Sequence, residues 1–542
     1  MNISRCAILC FVALFLTFCK SQEKSFEKPA IEMRVVYSPE LTPLMSKLKK
    51  LLEASSASFP KKISLDLIPE NSVSVSEKIA SGTLKTDIWL VTSKALAKHT
   101  NTKIINLGAA QKDCKEVFLS PVVFATQEEF LPYFYHKNLN FSWADFSENA
   151  RLLTAGESDR FGIPSYITGT VDQTTSGFAA LLQLIYFASE PQKTKNIQVE
   201  NLKTADFKHK FQSVLNRLSY YAPQEAQILN RAAITRSHLV FSLTSEQQLI
   251  SHNKSNPNAA KKLFALYPEE GVVWMDYSVC LSDADWVIAE KQAAYREFIR
   301  FMSSQEVGEI LVSEGFRLPE TSAFKSDYNL FAEHGALPAG PIAESVQVGP
   351  EVIDYVFANK EKLQKPYAAV YILDISGSTT GSILAAGKRM MRALLAHSKP
   401  NNLSALMTYS DKVEVRADFS NEHSSKIKIL DSVEASGASS VYDALAEAIK
   451  MLTRRDLGNY IKYIYFFTDG NDNASQMSLI ALMELIRDTR RYYEINVEIV
   501  ALELPGVDYT DIERLAQAFN GNYYKTDLDN IDRVITGLVS NF

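Results

Sequence analysis

At 542 residues the chain is too long for a single hydrophobic core and calls for two or three domains. With 46% apolar and 22% charged residues it reads as globular rather than disordered. The net charge of −6 is mild, acids and bases are interspersed, and no basic block marks a nucleic-acid binder.

The first stretch, MNISRCAILCFVALFLTFCKSQEKS, has one positive charge, Arg5, and then an apolar run from Cys6 to Phe18. That run is short for a bilayer span and fits a secretory signal. Leu16-Thr17-Phe18-Cys19 resembles a bacterial lipoprotein signal, in which the cysteine is lipidated and becomes residue one. Phe18 departs from the small residue usual before that cysteine. The resemblance implies a signal peptide over 1–18 and a lipid anchor at Cys19. The protein is then exported and membrane-anchored in the cell envelope, in the periplasm or at the cell surface. Plain cleavage near Ser21 is the alternative. Of five cysteines, Cys6 and Cys10 leave with the signal. Export permits Cys114 and Cys280 to form a disulfide, and buried free thiols fit equally well. No CxxC or Cys/His cluster has zinc spacing.

Residues 31–325 alternate short apolar runs with amphipathic patterns. IEMRVVYSPE predicts a strand and a turn, and LTPLMSKLKKLLEASSAS a helix with Leu44, Leu48, Leu51 and Leu52 on one face. TDIWLVTS and VFLSPVVFAT predict further strands. SGFAALLQLIYFAS predicts a helix with its start signal at Thr175-Ser176. YREFIRFMSSQEVGEILVSEG predicts a helix pair ending at Gly315. This alternation calls for parallel or mixed sheets covered by helices. Residues 326–365, rich in Gly and Pro around HGALPAGPIAESVQVGP, read as a linker containing a short helix over VIDYVFANKEKL.

The third segment, 366–542, opens with a buried strand that runs into YILDISGSTTGS. The strand ends in Asp374, with Ser376 and Ser378 in the loop after it. AAGKRMMRALLAHS predicts a helix, LSALMTYSDKVEVRADF a strand pair turning at Ser410-Asp411, and INVEIVALEL a buried strand. EASGASSVYDALAEAIK places Ser439 at a helix start, and YIKYIYFFTDGND is a second apolar strand ending in Asp469. In open α/β sheets ligands bind beyond the carboxyl ends of strands. Carboxylates and hydroxyls are hard oxygen ligands, suited to a hard cation.

This ordered set resembles a von Willebrand factor A-type domain and its metal-ion-dependent adhesion site, over the whole third segment. The resemblance implies a doubly wound, Rossmann-like fold and a metal shell of Asp374, Ser376, Ser378, Ser439 and Asp469, holding Mg²⁺ (or Mn²⁺ or Ca²⁺). Ser439 replaces the usual threonine and keeps its hydroxyl. Thr379 stands where methionine is common. A metal with few anionic ligands and an open position attracts a Glu or Asp side chain of a protein partner. Asp374 and Ser376 as plain turn and helix caps are the bland alternative.

Residues 31–325 resemble an extracellular solute-binding protein of the type associated with bacterial ABC transporters. The resemblance rests on SGTLKTDIWLVTS, SPVVFAT, FSWADF, TTSGFAALLQLIYFA, ALYPEEGVVWMDYSVCLSDADWV and REFIRFMSSQEVGEILVSEGFRLP in order. It implies two lobes joined by crossing strands, with a cleft between them for a small solute. Ser38, Thr92 and Ser93, at strand ends, and Thr174, Thr175 and Ser176, before a helix whose free N–H groups favour an anion, are its ligand candidates. Capping is the competing role for the last group. Two readings follow: an envelope protein recognising a partner through metal, or a solute-binding transport component with the A-type domain as accessory. The chain does not read as an enzyme: an exported hydrolase would need a histidine, and His136 and His238 sit in no nucleophile setting.

Overall fold

A computed structural model describes residues 30–55, 62–105, 108–133, 140–143, 164–189, 196–234, 239–258, 262–323, 327–340, 345–346, 348–470 and 472–539. Cys19 and the predicted signal lie outside the described residues.

The first half folds as two lobes. Lobe one is built on β1 (Ile31–Tyr37), β2 (Ile63–Pro69) and β3 (Ile88–Val91), with helices α1 (Thr42–Ser55) and α2 (Lys94–Thr102) beside them. β1 pairs in parallel with β2 and with β3. The α1 face predicted to be apolar is buried at Leu44, Leu48 and Leu52. Two long strands then leave the lobe. β4 (Ala110–Gln127) pairs antiparallel with β10 (Val272–Asp283) through residues 110–121. Its last six residues pair instead with β8 (Val240–Ser245) and β9 (Leu263–Pro268) of lobe two. One 18-residue strand thus belongs to both sheets, spanning about 60 Å at about 3.3 Å per residue. The SPVVFAT stretch is the crossover between lobes, as the sequence implied.

Lobe two adds β5 (Asn140–Phe141), β6 (Ser165–Gly169) and β7 (Leu218–Ala222), with α3 (Thr175–Ala188) and α4 (Glu225–Ile234). α3 is apolar all round and buried along nearly its whole length. β4 and β10 are stapled by a disulfide between Cys114 and Cys280, 166 residues apart. β11 (Ser345–Val346) pairs in parallel with the start of β10. Helix α5 (Pro350–Asn359) lies in the stretch that read as a linker, and it is packed against both lobes. Asp354 on α5 meets His99 and Lys103 of lobe one, at 2.6 and 3.1 Å. Tyr355 donates to the Leu202 carbonyl of lobe two at 3.1 Å.

The last segment is one six-stranded sheet in the order β14-β13-β12-β15-β16-β17. β12 (Tyr367–Asp374), β13 (Leu403–Tyr409), β15 (Ile461–Thr468), β16 (Ile495–Leu502) and β17 (Asn522–Thr526) are parallel, and β14 (Val413–Ser420) is an antiparallel edge. β12 is buried on both faces. Ala369, Tyr371 and Leu373 pack toward helix α6 (Ser382–His397), while Ala368, Val370 and Ile372 pack toward α7 (Val441–Leu452). That two-sided burial is why the strand reads as a continuous apolar run.

This last segment sits directly on lobe two. Asn496 of β16 donates to the Ser219 carbonyl at 2.9 Å and accepts from Arg231 at the far end of α4. Lys365 is buried in this joint and donates to the Asn216 and Leu218 carbonyls at 2.8 Å each. Burial, then the charge of Lys462, pulls the Lys365 ammonium down to about 7 from its usual 10.5. Between those values the unfolded chain binds the extra proton, so this residue makes stability rise with pH from about 7 to about 10.5. Lys365→Met is expected to flatten that rise in thermal melts. An unchanged slope would contradict the buried-ammonium account.

Candidate functional site

The sheet reverses its winding between β12 and β15, and their carboxyl ends form the switch point at which such sheets bind ligands. Leu373 is in register with Phe467, which sets Asp374 beside Thr468, with Asp469 one residue beyond it. Asp374 and Asp469 are both buried, at 0% and 1% exposure. Asp374 is fixed at both oxygens. Oδ1 accepts from the Ser376 amide at 2.9 Å, and Oδ2 from the Tyr409 hydroxyl at 2.7 Å and Thr468 Oγ1 at 3.1 Å. Ser376 Oγ lies 3.0 Å from Ser378 Oγ, which donates to Asp469 Oδ1 at 3.1 Å. Four of the five residues expected to form the metal shell therefore share one hydrogen-bonded chain.

Ser439 arrives on a separate loop clamped to the first. The Gly377 amide donates to the Gly437 carbonyl at 2.9 Å, and the Ser436 amide to the Ile375 carbonyl at 2.7 Å. Gly437 has φ +85°, and a Cβ there would lie 2.3 Å from Asp411, whose carboxylate takes the Ala438 amide at 2.9 Å. Only glycine fits that position. The Ser439 amide donates to Asn473 at 2.7 Å, which leaves its hydroxyl to point elsewhere.

Three buried oxygens at this point have no hydrogen-bond partner: Ser439 Oγ, Ser440 Oγ and Asp469 Oδ2. Orphaned buried acceptors are costly unless a ligand satisfies them. Burial, then the neighbouring Asp374 charge, pushes the Asp469 carboxyl up to about 6. A hard cation would satisfy the orphans and compensate the paired carboxylates, so the donor set fits Mg²⁺. Sequence reasoning missed Tyr409, Thr468 and Asn473, which orient the set, and Ser440, a further hydroxyl. Among the described residues no group of three or more His, Cys, Asp or Glu side chains gathers for a metal.

Between the lobes lies a cavity of about 1000 Å³, lined among others by Thr92, Ser93, Glu116, Thr175, Trp274 and Asp276. The two helix starts at this cavity are already occupied by the protein's own carboxylates. At α2, Ser93 Oγ accepts the Ala95 amide at 3.2 Å and Asp276 accepts the Lys94 amide at 3.1 Å. At α3, Thr174 Oγ1 accepts the Gly177 amide at 3.0 Å and Glu225 accepts the Ser176 amide at 2.8 Å. The hydroxyls of Ser38 and Ser176 pair internally with Ser72 and Thr244, at 3.0 and 3.1 Å. Of the six candidate ligand residues, Thr92, Ser93 and Thr175 line the cavity. Thr175 alone keeps a buried, unpartnered hydroxyl.

A family model described as von Willebrand factor type A domain matches residues 369–471, and one described as bacterial extracellular solute-binding protein matches residues 33–317. No curated protein matches the chain. Among solved structures, a von Willebrand factor type A protein from Catenulispora acidiphila is 14% identical with a TM-score of 0.29, over 33% of this chain and 42% of that one. An ABC transporter from Clostridium perfringens is 13% identical with a TM-score of 0.41, over 61% of this chain and 98% of that one. The sulfate-binding protein from Mycobacterium tuberculosis is 15% identical with a TM-score of 0.40, over 60% and 98%.

Proposed function

This chain belongs to the bacterial extracellular solute-binding protein family, and we propose that it is a cell-envelope protein with two recognition modules. The A-type domain binds Mg²⁺, Mn²⁺ or Ca²⁺ and through it a Glu or Asp side chain of a protein partner. The two-lobed segment binds a solute or a second partner. The observation behind the metal reading is that two members of the expected shell, Ser439 and Asp469, each keep a buried oxygen without a partner in the protein. Asp374, held by Tyr409 and Thr468, orders the loop, and the hydroxyls of Ser376, Ser378 and Ser439 serve as neutral ligands. When bound, the metal supplies a positive centre with room for a partner's carboxylate. The chemistry is binding rather than catalysis, as is typical of both kinds of domain.

The test is capture of a partner from envelope extracts with and without Mg²⁺, beside Asp374→Ala. Capture that needs the metal and is lost in the variant is expected. Metal-independent capture that survives the substitution contradicts the reading.

The cavity favours a second reading, a solute-binding component of an ABC-type transport system with the A-type domain as accessory. That role predicts lobe closure on solute even in Asp374→Ala.

The extracellular solute-binding family supports export, and the leader read in the sequence fits it. Among the described residues no helix is long and apolar enough to cross a membrane. In this reading Cys19 carries the anchor. Cys19→Ser is expected to move the protein from the membrane pellet to the soluble fraction, and persistent pelleting would count against lipidation.

A further inference from the structure

Helix α5 is fastened to both lobes by different side chains. Toward lobe one, the Asp354 carboxylate meets the buried His99 ring at 2.6 Å and Lys103 Nζ at 3.1 Å. Toward lobe two, the Tyr355 hydroxyl donates to the Leu202 carbonyl at 3.1 Å, and Lys360, just past the helix, pairs with Asp172 at 2.6 Å. Lys360 also reaches Glu77 of lobe one, at 3.9 Å. The Phe357 ring lies between the lobes, 4.5 Å from the His99 ring and 6.4 Å from that of Phe178 on α3. Val352, Ile353 and Val356 of the helix are buried. The segment leading into it pairs with β10 at the crossing strands, and Val346, Val348, Pro350 and Glu351 line the cavity.

We propose that α5 is a latch that holds the two lobes closed over the cavity. A two-lobed protein opens by bending at a few residues of the strands that join its lobes. Here the same opening must also pull one end of α5 free. That strips Asp354 or Lys360 of its partner and returns part of the buried face of the helix to water. The hinge and the latch act in parallel, so the lobes separate only when α5 lets go of one of them. Once either end is free the helix no longer links the lobes, and freeing the second end adds little. The inference rests on the two-lobed fold, and neither on the A-type metal site nor on the identity of a solute.

The test is the distance between nitroxide labels on Lys50→Cys of α1 and Lys208→Cys of the lobe-two helix Ala205–Leu215, both exposed positions. It is measured by pulsed electron spin resonance in the chain from residue 20 onward, with the Cys114–Cys280 disulfide kept oxidised. One narrow distance is expected when α5 is unaltered. Asp354→Lys sets a cation against Lys103, and Lys360→Glu sets a carboxylate against Asp172 and Glu77. Each should make a second, longer distance the major population, and the two together should resemble either alone. Adding Asp172→Lys to Lys360→Glu rebuilds the ion pair with its charges exchanged and should bring back the single short distance. Circular dichroism of each variant confirms folding. An unchanged distance in both charge-reversed variants overturns the proposal, as does a long distance that Asp172→Lys fails to reverse or one already present with α5 unaltered.

Discussion

Asp469→Asn is expected to make the metal-free protein more stable and at the same time to abolish its response to Mg²⁺. Asp469 is buried beside Asp374, and its carboxyl is pushed up to about 6 by burial and then by that charge. At neutral pH it is ionised in a place that disfavours ionisation. With allowance for solvent screening, removing the charge should gain about 1–2 kcal/mol. The variant loses the buried Oδ2 that has no partner in the protein. Mg²⁺ at about 100 times its Kd should stabilise the wild type by about 2.7 kcal/mol and leave Asp469→Asn unmoved. Thermal melts with and without Mg²⁺ should therefore change the order of the two proteins. Equal gains from Mg²⁺ in both would show that Asp469 is not a ligand.

The second large effect is expected at the crossing strands. Cys114→Ser with Cys280→Ser removes a covalent link across 166 residues. Loop-closure entropy for so long a loop amounts to about 5 kcal/mol, less whatever structure the reduced unfolded chain retains. Urea midpoints of the oxidised protein and of the double serine variant measure it. The expected loss is about 3–5 kcal/mol. A loss below about 1 kcal/mol would mean that strand pairing along β4 and β10 already fixes the hinge.

Both halves of the fold are legible in the sequence, for a physical reason. β12 and β15 are buried on both faces and therefore read as unbroken apolar runs, and each run stops where a carboxylate must leave the sheet. The crossover in β4 was visible in SPVVFAT because a strand shared by two sheets is apolar where it passes between them. What escaped was non-local. Tyr409 and Thr468 read as core residues, yet their hydroxyls hold Asp374. Nothing near Thr174-Thr175-Ser176 in sequence announces that Glu225, about 50 residues on, fills the helix start. The Cys114–Cys280 pairing was open for the same reason. The short helix read within the linker forms at Pro350–Asn359, but nothing local to it announces that it bridges the lobes through Asp354 and Tyr355.

The account stands on the metal site of the A-type domain. Its most direct test is calorimetric titration of Mg²⁺ and Mn²⁺ into the chain from residue 20 onward, with and without Asp374→Ala. One saturable site, present with Asp374 and lost with alanine, is the predicted result. Identical heats in the two proteins would contradict it and reduce the Asp374, Ser376 and Ser378 loop to a strand end, a turn and a cap.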